Sequence, residues 1–492
     1  MPPTYSDTGQ PEKDDVNTPI GCYLDAAADW EMIDALLGGT KAMRAAGQVH
    51  LPAFPKESDP AYQRRKNSTF LFNAYKRTVN AVAGRPFKRA ITLGDDVPKN
   101  VADLTEDIDR RGNNLSVFMA RQMRTLISHG ASHILVSYPQ LDQGATLADA
   151  KSSGARPYWV HIHPRDLIGW RWASTDGPPR LTQIRYREMV REDSGPFGEV
   201  MVPQVRVVEP DLVQTWRMDA DEQWFLYSEA PTSLGVVPLA SVVYGSTSDP
   251  LIGELPLEDL AWLNVEHWQS ASDQRCILSI ARVPILFAAG FTEDDIQAVE
   301  IGPTRMIRSS DPSARISYVE HQGAAISAGK DDLVSIEDRM AVMGLELLRP
   351  RVTAITATAS AIDASSQQSQ LGLMVTKLGD QGEAAMGFTS KWLGGGPDTG
   401  GSIDIFKDFD LNEQEGKDID QLLKMRQARE ISRATFYTEL TRRGFLSEGF
   451  DPVMEDETLQ SEFDTSMALA AGLADGGAET APDPAPAPAA GA

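Results

Sequence analysis

Cysteine is nearly absent from this 492-residue chain: Cys22 and Cys276 stand in unrelated contexts. Two such residues make neither a disulfide framework nor a zinc cluster, and they suit a reducing compartment. No run approaches the roughly 18 apolar residues of a membrane span. The polar start Met1-Pro-Pro-Thr-Tyr-Ser-Asp7 lacks the apolar stretch of a signal peptide, so a soluble, cytoplasmically made protein without a membrane partner is expected. Basic charge is scarce too. Lys and Arg number 46 against 70 Asp and Glu, a net charge of −24. Holding DNA by counterion release needs clustered cations, so firm DNA binding is unexpected, whereas a surface that lets DNA pass fits the charge. Gly-x-Ser-x-Gly, His-Glu-x-x-His and Cys-x-x-Cys are also missing.

The length exceeds what one core supports and predicts two or more domains. Residues 1–19 read as a disordered, Pro-containing arm. Helical patterns follow at 24–46 and 61–83. In the second, Phe70, Leu71, Ala74, Val79 and Val82 face inward and Arg64, Arg65, Lys66, Lys76 and Arg77 outward. That basic face reads as a solvated surface or as a contact for phosphate or a neighbouring subunit. Gly84-Arg-Pro-Phe87 breaks the helix and opens a strand. Helices are expected at 101–111 and 114–129, joined at Gly112, then a strand at 131–137. Strands at 158–163, 167–172, 181–190, 204–209, 212–217, 223–227 and 241–244 predict one antiparallel sheet, with Trp159, Trp170, Trp172, Trp216 and Trp224 in its packing. The whole region is α+β.

The chain is organised around residues 255–393. A helix over 257–282 stops at Pro284, a Pro/Gly-punctuated insert follows, and a second helix runs from Asp331 until Pro350 stops it. Arg349-Pro-Arg-Val-Thr-Ala-Ile-Thr-Ala-Thr-Ala-Ser-Ala361 is small, hydroxylated and β-branched, and a third helix covers 361–392 before Gly394-Gly-Gly-Pro397. Beyond it a short strand (402–406), a charged helix (413–429) and a helix over 432–442 capped by Ser432 are expected. Residues 447–492 carry ten acids and no Lys or Arg, and from about Gly472 the chain reads as disordered.

The order of these segments resembles the portal (head–tail connector) proteins of tailed bacteriophages and related prophages. The resemblance lies in Pro256-Leu-Glu-Asp-Leu-Ala-Trp-Leu-Asn264, Trp268-Gln-Ser-Ala-Ser-Asp273, the Pro284 exit and Thr356-Ala-Thr-Ala359 before a Ser/Gln-rich helix. Upstream, residues 62–87 and Asp109-Arg-Arg-Gly112 add to it. It implies an α+β wing at 20–254, stem helices at 255–283 and 329–349, and a small α/β clip at 284–328. A tunnel loop at 350–361, a wing helix and strand at 362–411, a helical crown at 412–465 and a disordered acidic tail at 466–492 complete the division. It further implies a homo-oligomeric ring, commonly of twelve subunits, at one capsid vertex of the virion. That ring passes double-stranded DNA during packaging and ejection and meets the large terminase, a head-completion adaptor, and the major capsid and scaffolding proteins. Arg349, Arg351, Thr353, Thr356, Thr358 and Ser360 would line the channel, and Arg305, Arg308, Arg315, Tyr318 and Glu320 would form the docking clip. A plain interhelical linker is the other reading of the loop.

No cofactor and no catalytic residue is expected. Gly323-Ala-Ala-Ile-Ser-Ala-Gly329-Lys330-Asp331 has one residue too many for a Walker loop and an acid where Ser or Thr must follow Lys. A helix entry with Asp331 near its N-terminus explains it. His161 and His163 share one strand face but lack a third metal ligand, since His129 and His133 belong to another element, and read as structural. Asp107 and Asp109 face apart on a helix. The alternatives are a metal-dependent nucleic-acid-processing enzyme, or another phage capsid or adaptor protein.

Overall fold

The computed structural model describes residues 15–139, 154–173, 179–245, 249–282, 285–290, 311–319, 324–344, 370–396, 399–407, 422–428, 430–442, 446 and 450–462. Helices and antiparallel strands mix in an α+β fold, and the chain divides into two compact units, Met1–Asp410 and Leu411–Ala492. Among the described residues, no helix is long and apolar enough to cross a membrane.

The first unit opens with α1 (Gly21–Gly38), α2 (Thr40–Ala46), α3 (Asp59–Ser68) and α4 (Ala74–Gly84). Each of the two helices expected here is in fact a pair. The first breaks at Gly39. The second breaks over residues 69–73, where Arg44 donates to the Thr69 carbonyl from Nε and Nη2 at 3.1 and 2.8 Å. There Asn73 also caps α4, its Oδ1 accepting from the Lys76 N–H at 2.9 Å. Phe70, expected inward, is therefore 63% exposed, and Arg65, expected outward, is buried.

Residues 85–87 form a 3-10 turn rather than opening a strand. The following strand β1 (Thr92–Leu93) pairs with Ile403–Asp404, which is all of the strand expected at 402–406. The helix expected over 101–111 shortens to α5 (Lys99–Ala102) and a 3-10 turn at Thr105–Asp107. Helix α6 (Leu115–His129) matches its expectation: Asn114 Oδ1 accepts from Val117 N–H at 3.0 Å, and Gly130 ends it at φ +75. A Cβ at Gly130 would stand 2.1 Å from the Glu254 carbonyl oxygen, so glycine is required by the left-handed turn and by the close approach together.

Two sheets replace the single one expected. Strand β2 (Ala131–Ser137) lies between β3 (Tyr158–Ile162) and β9 (Leu239–Val243). Strands β4 (Leu167–Ala173), β5 (Arg180–Ser194), β6 (Gly198–Val208), β7 (Leu212–Met218) and β8 (Trp224–Pro231) make a five-stranded antiparallel meander. Period-2 patterning marks a strand but not its partner, so it does not distinguish one sheet from two. Trp159 and Trp170 are buried as expected, whereas Trp172, at the end of β4, is 39% exposed.

Helices α7 (Glu258–Ala281), α8 (Ala324–Gly344) and α9 (Gln370–Trp392) follow, with the short strands β10 (Ile285–Ala289) and β11 (Arg315–Val319) between the first two. Glu258 and Asp259 in the first turn of α7 complement its dipole. Residues 361–369 and 413–421 lie outside the described residues. Helix α9 roofs the three-stranded sheet: Gln381 Nε2 donates to the Ser132 and Ala240 carbonyls at 2.8 and 3.0 Å, and Trp392 Nε1 to that of Val136 at 3.2 Å. Met119, Ile134, Leu260, Trp268, Val375 and Leu378 form the centre of the main core. In the second unit α10 (Arg433–Arg442) starts at Ser432 as expected, whose Oγ accepts from Thr435 N–H at 3.0 Å. An Arg433–Asp456 ion pair joins it to helical residues 452–462.

Asn264 ties α7 to this body. It is fully buried, its Oδ1 accepts from Tyr75 N–H at 2.9 Å, and its Nδ2 donates to the Phe72 carbonyl at 2.8 Å. Asn264→Leu keeps the volume, orphans the Tyr75 N–H and leaves the Phe72 carbonyl with the Ala74 N–H as its remaining donor at 3.0 Å, so urea unfolding is expected to show a loss of ~1–3 kcal/mol; an unchanged midpoint would contradict the role.

Candidate functional site

The resemblance places its functional residues on the α7–α8 pair and the segments around it. The two helices run antiparallel, as their side chains record: Arg339 reaches Glu266 at 3.5 Å, His267 Nε2 meets Glu337 Oε1 at 3.1 Å, Ser270 Oγ donates to Asp332 at 2.7 Å, and Gln274 Nε2 donates to the Ile326 carbonyl at 2.8 Å. Gly329 makes the last contact fit, because a Cβ there would stand 2.1 Å from Gln274 Oε1. It sits inside α8, which starts at Ala324, seven residues before the expected helix start at Asp331, so Asp331 lies in the third turn rather than at a helix entry. The Gly323–Asp331 stretch is in this way a packed helix from Ala324 on.

Between the helices β10 and β11 pair antiparallel from Ile285–Val319 to Ala289–Arg315. Arg315 is exposed at the end of this ladder, and Tyr318 is paired with Leu286. Arg305, Arg308 and Glu320 lie outside the described residues, as do all six loop residues, Arg349, Arg351, Thr353, Thr356, Thr358 and Ser360. The described parts of the helix pair, residues 258–282 and 324–344, carry eight acids and four cations, all of them exposed. Like charges on an exposed helix face repel one another and any polyanion brought near.

Sequence reasoning missed the buried polar contacts behind this pair. Arg65 on α3 donates to Glu57 from Nε and Nη2 at 3.0 and 2.8 Å, to the Pro52 carbonyl at 2.7 Å and to Ser272 Oγ of α7 at 3.2 Å, with the Phe54 ring 4.1 Å from its guanidinium. The hydrogen bonds from Arg65 hold the Glu57 carboxyl below its ordinary range. A helical wheel marks Arg65 as one of a basic row and carries no sign that it faces inward.

The histidines assemble across elements. His161 and His163 are joined by His129 of α6, whose ring meets that of His163 edge-on with centroids 4.3 Å apart. The separation expected between that pair and His129 is thus removed by folding. His129 Nε2 lies 3.2 Å from Asp34 Oδ1, and Arg165 pairs with the other oxygen of Asp34. Among the described residues no three His, Cys, Asp or Glu side chains are arranged to hold a metal ion. Beside His161 a cleft of about 550 Å³ is lined by Arg121, Tyr158, Arg187 and Glu188. Asp107 binds Arg156 at 2.7 Å while Asp109 is buried and accepts from Asn113 Nδ2 at 2.8 Å, so the two carboxylates have separate partners.

Burial pushes His133 and His163 down to about 3 and His161 well below the ordinary imidazole range. His133, fully buried on β2, stays neutral in the folded chain while the unfolded chain takes up a proton near pH 6.5. Stability is therefore expected to fall as pH drops below 6.5, by up to about 1.4 kcal/mol per pH unit from this residue. Urea midpoints at pH 7.5, 6 and 5 should show that slope in the wild type and a shallower one in His133→Asn.

The family described as Domain of unknown function (DUF4055) matches residues 256–393, the stretch from the start of α7 to the end of α9. None of the curated proteins matches the chain. Solved structures similar to it include a chain of the neck of an empty gene transfer agent (GTA) particle computed with C6 symmetry, at 11% identity and a TM-score of 0.41. A second comes from the virion of the native particle, at 11% and 0.37, and a third from the native neck computed with C12 symmetry, at 10% and 0.37. In each case 74% of this chain and 88% of the other are covered.

Proposed function

We propose that the chain is the portal subunit of a tailed phage or prophage, a non-enzymatic ring component at one capsid vertex of the virion. The observation that carries this reading is the α7–β10–β11–α8 hairpin: two long antiparallel helices headed by a β-ladder, with exposed charges that are mostly acidic. On this reading the helices are the stem, the head is the clip and the preceding α+β region is the wing. The Arg349–Ala361 segment is the tunnel loop and the chain after 412 the crown. An acidic, hydroxyl-bearing channel repels phosphate and forms few long-lived contacts, so double-stranded DNA slides during packaging and ejection, with isolated arginines such as Arg349 and Arg351 steering it. The clip is where the large terminase and later the head-completion adaptor dock, and the wing meets capsid and scaffolding proteins.

Native mass spectrometry with negative-stain imaging of the purified chain tests the reading. Closed rings of about twelve subunits around a central hole are expected; a monomer that cleaves DNA in the presence of a divalent metal would replace it with a nuclease. Within the ring, Arg305→Glu with Arg308→Glu should weaken terminase or adaptor binding ~tenfold and leave the assembly intact. Normal packaging by that variant would remove the clip assignment.

A further inference from the structure

Strands β5 and β6 run on past their neighbours. Strand β4 leaves β5 after the Leu167–Tyr186 pair, and β7 leaves β6 after Gln204–Arg217. Yet β5 and β6 stay paired from Met189–Pro203 to Ser194–Gly198. Six residue pairs at ~3.4 Å make a two-stranded arm about 20 Å long, with no third strand among the described residues.

Such a ribbon is marginal by itself in water, and its side chains make it more so. Met189, Val200 and Met201 are about half exposed, and Phe197 at the turn is 100% exposed. Asp193 stands directly across from Glu199, a like-charge pairing that opposes the hairpin, while Arg191 lies 3.3 Å from Glu199. Residues 189–203 hold three acids and one Arg. The arm is thus apolar and acidic, with no strand on either edge among the described residues, although Arg217 of β7 reaches its Glu192 at 2.7 Å.

The same unit carries the complement. Residues 41–89 hold eleven Lys and Arg against two acids, a net of +9 in a chain of −24. Arg65 is used internally, but Lys41, Arg64, Lys66 and Arg77 have no carboxylate partner among the described residues. Val49 and Phe70, on the same α2–α4 stretch, are 71% and 63% exposed. A surface of this sign, on a protein of the opposite sign, suits an acidic and apolar partner.

We propose that the arm of one subunit docks on the α2–α4 surface of a second copy of this chain. Two different patches meeting in this way form a heterologous contact, which repeats head to tail and closes into a ring when the rotation per subunit permits. The inference rests on the ring reading above and names the contact that builds it.

Charge exchange tests it in the full-length chain. Asp193→Lys with Glu199→Lys, and separately Arg64→Glu with Lys66→Glu, should each lower the ring fraction in mass photometry ~tenfold at fixed concentration. All four changes together should restore most of it, and circular dichroism should show the wild-type spectrum throughout. Phe197→Ser should weaken assembly without altering charge. Rings that persist in both reversals overturn this contact while leaving the ring reading in place. Loss in both without recovery in the combination overturns it too. A wild-type chain that forms no ring at any concentration overturns the ring reading itself, and the contact with it.

Discussion

The long helix α7 places only its first half in the apolar core, and that division governs the first unit. Leu257, Leu260, Ala261, Leu263, Val265 and Trp268 lie in the main core, while from Ser270 onward the helix deals chiefly with α8 and with Arg65. Asn264 sets where the change occurs, because the hydrogen bonds to Tyr75 and Phe72 admit one axial position and one rotation of the helix. Helix α8 follows the same rule in reverse: Ile336 and Met340 are buried near its C-terminal end, and most of its N-terminal half is exposed. The β10–β11 ladder is therefore carried at the outer end of a helix pair rooted in the core.

Polar groups inside the unit are placed so that most find partners, since an unpaired one costs several kcal/mol. Arg65 has three hydrogen-bond partners, Glu57, Pro52 and Ser272, on two segments, and Gln381 bridges two strands. His133 solves the same problem by staying neutral: held at about 3 by burial, it gives no charge to the three-stranded sheet. The Arg65–Ser272 and Gln381 contacts link segments more than a hundred residues apart and tie the helices, the sheet and the root of the helix pair together.

Charge is sorted outside as firmly as it is satisfied inside. The helix pair and the β5–β6 arm are acidic, the α2–α4 surface is strongly basic, and the chain as a whole is acidic. A charge distribution of this kind disfavours indiscriminate self-association and permits it where opposite patches can meet.

The sequence by itself determined the elements with strong local signals. Asn114 and Gly130 bounded α6, the Ala131–Ser137 strand lay where its apolar run placed it, Ser432 capped α10, and the 258–281 helix was marked by its acids and by Pro284, because capping, periodicity and proline act within a few residues. Tertiary structure decided what those signals do not carry. It broke the 61–83 helix when Arg44 and Asn73 took the backbone groups of the link, turned Arg65 inward toward Glu57 and Ser272, divided one expected sheet into two, and brought His129 against His163. Each outcome depends on a partner distant in the chain, and a side chain's own neighbours in sequence hold no information about which distant group will lower its free energy most.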